Sequence, residues 1–284
     1  MLNPEYDVAV AYRIYPKPPK IPAVVYPLDK LRMSEVCLKS FKDSLGSLRV
    51  KILVILDGCD KSYEKLFTDL FNEEDLIIKH VNKIGNYATF DLQLEWLKNQ
   101  DYSEWIYFAE DDYIYTPNGF SDILSFAKSK NSQPNFISPY DHPDYGSLLW
   151  HTFGETPTII ETNNRRWTSR ASTTCTFLTS RKLLREVSAI LEMYPRLGDI
   201  GFWALLTKRN VIDPRFLAYL AITQKERWLI RYFIKALLYG WRHIVSSHKY
   251  TLWAPTPSLA THAETDFLAK GVDWEGVIQS IVLK

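Results

Sequence analysis

The chain lacks the features that mark several common function classes. Its three cysteines, Cys37, Cys59 and Cys175, lie far apart among 284 residues with no CxxC pair, which argues against a disulfide framework and a zinc site. Charge of one sign is not in excess. The 34 basic and 33 acidic residues leave a formal net charge of +1, so no global field favours nucleic acid as a partner. No apolar run reaches the roughly 20 residues of a spanning helix. The opening "MLNPEYDVAVAY" has an early acid and too short an apolar stretch for a secretory leader. These absences predict a cytoplasmic, reducing setting, with any membrane contact peripheral to its inner face. Internal repeats are missing too. The nearest thing to a biased tract, "YPKPPKIPAVVYP" at 15–27, is barred from regular helix because proline fixes φ and removes donors. It is expected to form a loop over the carboxyl edge of the sheet.

What is present suits a large buried core, with 46% hydrophobic residues. "YDVAVAYRIY" and "VKILVILDG" read as strands buried on both faces, rich in β-branched and aromatic residues and closed by Pro or Gly. Between them, Cys37, Phe41 and Leu45 recur at helical spacing; Leu66 and Leu70 do so after the second strand, and Phe90, Leu94 and Leu97 after "DLIIKHV". The strand "EWIYFA" follows. Such alternation predicts an α/β fold with a mostly parallel, doubly wound sheet over 1–140, which binds ligands outside the carboxyl ends of its strands. Three polar sites fall there: Arg13, Asp57 and the triplet Glu110, Asp111 and Asp112. Beyond 140 the short strand-like pieces predict a mixed or antiparallel half over 141–220, and 221–284 reads as an amphipathic helix and a tail that completes the site.

Consecutive carboxylates repel, so the triplet needs solvent or a cation. Mg²⁺ and Mn²⁺ favour carboxylate oxygens and take their remaining ligands from water and phosphates. A solvated acidic turn capping the helix near Pro117 is the alternative for an isolated "EDD".

In this context the alternating half, the strand-end aspartate and the hydrophobic strand running into acids resemble a GT-A fold glycosyltransferase. "EDDYIYTPNGF" is similar to the Glu-Asp-Asp segment of the Golgi N-acetylglucosaminyltransferase family, and the order of elements over about 7–262 resembles the bacterial family 2 glycosyltransferases. Ala109 stands where many family 2 members carry the first acid of a DxD. The resemblance implies a nucleotide-diphosphate sugar donor, a UDP- or GDP-sugar, and a glycan or lipid-linked acceptor. Asp112 would ligate the metal, Asp111 would lie near sugar and ribose, and Glu110 would support them. It also implies that Asp57 meets the nucleotide, although an aspartate before glycine is equally a turn former. "KIGNYATF" lies where the same families bring a loop against the nucleotide. There Gly85 permits close backbone approach, Asn86 can cap the helix and Lys83 can meet phosphate.

Inverting transfer needs a carboxylate opposite the triplet to take the acceptor proton. Asp199, between Gly198 and Gly201 in "RLGDIGFW", resembles the acid opening the acceptor-side helix of inverting enzymes; a plain helix cap is the alternative. The late His262 resembles the histidine that completes the metal shell in several metal-dependent GT-A families. A surface or packed role is its alternative. Arg165, Arg166, Trp167 and Arg170 suggest donor or acceptor contacts. Last, "KERWLIRYFIKALLYGWRHIV" sets Arg227, Arg231, Lys235 and Arg242 on one helical face and Leu229, Phe233, Ala236, Leu237, Gly240 and Ile244 on the other, a pattern suited to an anionic membrane surface or to packing on the domain. A sugar-phosphate nucleotidyltransferase would want a glycine-rich basic loop where "YRIYPKPPK" stands. A noncatalytic carbohydrate-binding protein on the same fold is the other competing reading.

Overall fold

The computed structural model describes residues 5–129, 134–154, 156–162, 165–223, 226–246 and 248–283. Lys225, in the basic stretch, lies outside them. In chain order the elements are β1 (Val8–Ile14), α1 (Lys30–Leu45), β2 (Val50–Asp57), α2 (Lys61–Thr68), β3 (Leu76–Val81), α3 (Gly85–Asn99), β4 (Trp105–Glu110), β5 (Tyr113–Tyr115) and α4 (Gly119–Ala127). The second half adds β6 (Phe136–Ile137), α5 (Leu149–Thr152), β7 (Ile159–Glu161), β8 (Arg166–Arg170), β9 (Phe177–Ser180), α6 (Arg181–Leu191), α7 (Tyr194–Thr207), α8 (Pro214–Thr223), α9 (Trp228–Ser246), β10 (Leu252–Thr256), β11 (Ala260–His262) and α10 (Trp274–Val282).

The α/β class and the two-part sheet are as expected. One nine-stranded sheet runs β3-β2-β1-β4-β9-β6-β10-β8-β7. Its first four strands are parallel, and beyond β4 the pairing is mixed, with only β6 and β10 parallel. A separate two-stranded ribbon pairs β5 with β11. The core follows the strand period. Val8, Val10 and Tyr12 face one layer with α1 and α4, whereas Ala9 and Ala11 face the other with α3, α6 and α7. Both faces are covered, which is why β1 and β2 read as unbroken apolar runs.

Two local differences stand out. In α2 the inward residues are Tyr63 and Phe67, with Leu66 and Leu70 only partly buried. Asp60, which accepts from the Ser62 N–H, caps the start of that helix. The tail also does more than trail behind the sheet: β10 is threaded between β6 and β8.

Candidate active site

Arg13 is the penultimate residue of β1, Asp57 ends β2 and Glu110 ends β4, so parallel neighbours carry all three to one edge. There they line a cavity of about 420 Å³ together with Tyr15, Gly85, Asn86, Thr89, Asp111 and Asp112. Lys83, Asp199 and His262 do not line it.

Each carboxylate of the triplet has its own cation. Glu110 Oε1 accepts from Arg13 Nη2 at 2.5 Å and its Oε2 from Thr176 Oγ1 at 3.0 Å. Asp111 Oδ2 lies 2.8 Å from Lys30 Nζ and accepts from Ser34 Oγ at 3.2 Å. Burial works against the Lys30 ammonium, but the adjacent Asp111 charge overcomes it and raises the pKa. Asp112 Oδ2 meets His262 Nε2 at 3.3 Å. Burial would raise the Asp112 pKa; the charged imidazole instead holds it well below the usual carboxylate range. Burial would likewise lower the imidazole pKa, yet Asp112 and then Glu264 hold it up at about 9.

His262 reaches Asp112 because β11 pairs antiparallel with β5, with His262 opposite Tyr113, and the Ala263 N–H donates to the Asp112 carbonyl at 2.7 Å. The proline-rich segment secures this strand from outside. Val24 N–H donates to the Ala263 carbonyl at 2.8 Å and Thr265 N–H to Pro22 at 3.0 Å. Among the described residues no three His, Cys, Asp or Glu side chains converge as a preformed cage. Two orphans remain in the pair itself: Asp112 Oδ1 and His262 Nδ1 are buried with no hydrogen-bond partner. His262 Nδ1 faces Glu264 Oε2 at 3.8 Å; once the imidazole is neutral, its Nε2 and Asp112 Oδ1 fit a cation that takes its other ligands from phosphate and water.

Asp57 is committed locally. Its oxygens accept from the Ile84 and Gly85 N–H groups, both at 2.8 Å, so it caps α3 from another strand end. This corrects the expected cap: Asn86 lies inside the first turn and donates from Nδ2 to Tyr194 Oη at 2.7 Å, while its carbonyl accepts from Arg13 Nη1 at 2.8 Å. Gly85, at φ 86°, turns the chain into that helix. Lys83 is exposed; a Cβ at Gly58 would lie 2.7 Å from Lys83 Cγ, so its stem lies over that glycine, outside the cavity.

Asp199 follows a break in α7, where Gly198 has φ 67° and ψ 178°. Its Oδ1 accepts from the adjacent Ile200 N–H at 2.8 Å. Burial raises its pKa against that hydrogen bond, and the charge of Glu110 adds to the rise, which places Asp199 within electrostatic reach of the triplet. Trp167 is not available as a sugar platform. It is buried and stacks on Phe126 at 4.1 Å, while Arg165 and Arg170 pair with Asp122 and Asp141. Residues 166–170 form β8, in which Trp167 and Thr168 are buried. Sequence reading missed Lys30, Ser34 and Tyr194, all single polar residues with no motif around them.

No protein-family model matches the chain, and no curated protein does either. Among solved structures it is similar to residues 1–349 of S. aureus TarS in complex with UDP-GlcNAc (14% identity, 72% of this chain, 53% of that one, TM-score 0.46). It is similar to the galactosyltransferase LgtC in complex with donor and acceptor sugar analogs (9% identity, 96% and 95%, TM-score 0.47). A third is the mannosyltransferase PcManGT from Pyrobaculum calidifontis in complex with GDP-Man and Mn²⁺ (11% identity, 84% and 76%, TM-score 0.43). The chain thus spans about half the length of the TarS fragment.

Proposed function

We propose that the protein is a glycosyltransferase that moves a sugar from a nucleoside-diphosphate donor, a UDP- or GDP-sugar, to a hydroxyl of a glycan or lipid-linked acceptor, with inversion. The observation that carries this reading is the Asp112–His262 pair, whose aspartate lines a cavity at the carboxyl edge of a parallel sheet. Asp112 and His262, the latter after giving up its ring proton, would hold Mn²⁺ or Mg²⁺, which when bound stabilises charge on a leaving diphosphate. Gly85 lets the backbone at the α3 start approach the donor, and Asp57 holds that start in place. Asp111, already fixed by Lys30 and Ser34, offers its other oxygen to ribose or sugar. Glu110, clamped by Arg13 and Thr176, keeps Arg13 aimed across the crevice. Asp199 would take the proton of the acceptor hydroxyl at its carboxylate, and its raised pKa suits a base for that step.

Donor turnover measured by release of nucleotide tests the roles separately. Asp112→Asn is expected to lose at least about 100-fold in kcat/KM. Asp199→Asn should lose about 100-fold or more in kcat and keep nucleotide affinity. Full activity in either variant would remove the assigned role. A second reading has its own observation: Arg13, Lys30 and His262 already neutralise the triplet one for one. Turnover unaffected by a strong chelator would assign charge stabilisation to these side chains.

A further inference from the structure

Helix α9 carries two apolar stripes, and packing explains only one. Leu229, Phe233, Ala236 and Gly240 are buried against α7 and its neighbours; a Cβ at Gly240 would lie 2.4 Å from Leu205 Cδ1. The opposite side, expected to be simply basic, also displays Ile234, Leu238, Trp241 and Val245 at 50, 67, 54 and 79% exposure. Their spacing of i, i+4, i+7 and i+11 makes one continuous stripe about 16 Å long. Beside it run Arg231, Lys235 and Arg242, with Trp228 and Tyr239 along the far margin, all exposed. No Asp or Glu occurs between Glu226 and Glu264. No helix among the described residues is long and apolar enough to cross a membrane.

We propose that this outward face of α9 binds the surface of an anionic phospholipid membrane. An apolar and aromatic stripe flanked by cations, on a helix held rigidly by its other side, matches the acyl–headgroup boundary in both polarity and charge. The proposal stands apart from the transfer chemistry, but the two surfaces touch. Tyr232, on the same helix, packs where a Cβ at Gly198 would lie 3.2 Å from its Cε1, so α9 backs the kink that presents Asp199.

The test is co-sedimentation of the full chain with vesicles of phosphatidylcholine alone or mixed with phosphatidylglycerol, at low and high salt. Binding is expected only to the mixed vesicles and only at low salt. The double variants Leu238→Gln/Trp241→Gln and Arg231→Glu/Lys235→Glu should each lower the partition coefficient at least about tenfold; all four side chains are exposed, and unchanged far-ultraviolet circular dichroism checks the fold. No binding to mixed vesicles at low salt, or equal binding by the variants, overturns the proposal. A concentration-dependent dimer in sedimentation velocity that Leu238→Gln/Trp241→Gln dissolves, without vesicle binding, would assign the face to a second copy of the chain.

Discussion

Three adjacent carboxylates persist at a strand exit because Arg13, Lys30 and His262 arrive from three different elements to meet them one by one. The same half-buried polar interior sets a pH limit elsewhere. His151 is buried beside Arg170 and Arg209, with Ser172 Oγ 3.3 Å from its Nε2; burial and then the two guanidinium charges push its pKa down to about 3. The folded protein therefore refuses a proton that the unfolded chain accepts below its ordinary value of about 6.5. Stability from this group is complete above that value and is lost as pH falls toward the folded pKa, by about 1.4 kcal/mol per unit at most. Unfolding of wild type and His151→Leu between about pH 7 and pH 4 should show the wild-type advantage shrinking with acid; a constant difference would refute it. Residue roles were legible where a motif marked them. The acids at 110–112 and His262 could be singled out, whereas Lys30 and Ser34 could not, because what makes them site residues is register between distant elements.

At the scale of elements, the kink of α7 is the feature most exposed to test. At φ 67° and ψ 178°, Gly198 occupies a region that is essentially glycine-only. Gly198→Ala should cost about 1–3 kcal/mol and displace Asp199, lowering both melting temperature and turnover. Gly146→Ala, where a Cβ meets nothing within 4 Å, serves as a control expected to stay within about 0.5 kcal/mol. A melting temperature for Gly198→Ala equal to the control's would contradict the strained-kink account. Helix α3 shows what periodicity can and cannot give. Phe90, Leu94 and Leu97 face the core as their spacing requires, yet the cap comes from Asp57 across the chain, a pairing local spacing does not encode. In α9 the buried stripe was readable, and the exposed one was hidden because both are apolar.

For the whole molecule, alternation of strand and helix made the parallel half legible, since each βαβ crossover leaves its period in the chain. Of the second half only the mixed character was, because its strands are two to five residues long and pair out of sequence order. The return of β10 and β11 to the sheet and to β5 joins distant sequence and carries His262 to Asp112. In the proposed function, β1 near the start of the chain and β11 near its end build one site for a metal-bound nucleoside diphosphate. Thermal unfolding with UDP, GDP and CDP, each with and without Mn²⁺, tests it most directly, because a ligand selective for the folded state raises the melting temperature by about 2.7 kcal/mol of added stability at 100 times its Kd. The account predicts that one nucleotide stabilises the protein when Mn²⁺ is present and that Asp112→Asn abolishes the effect. No shift with any saturating nucleotide, with or without the metal, would contradict it.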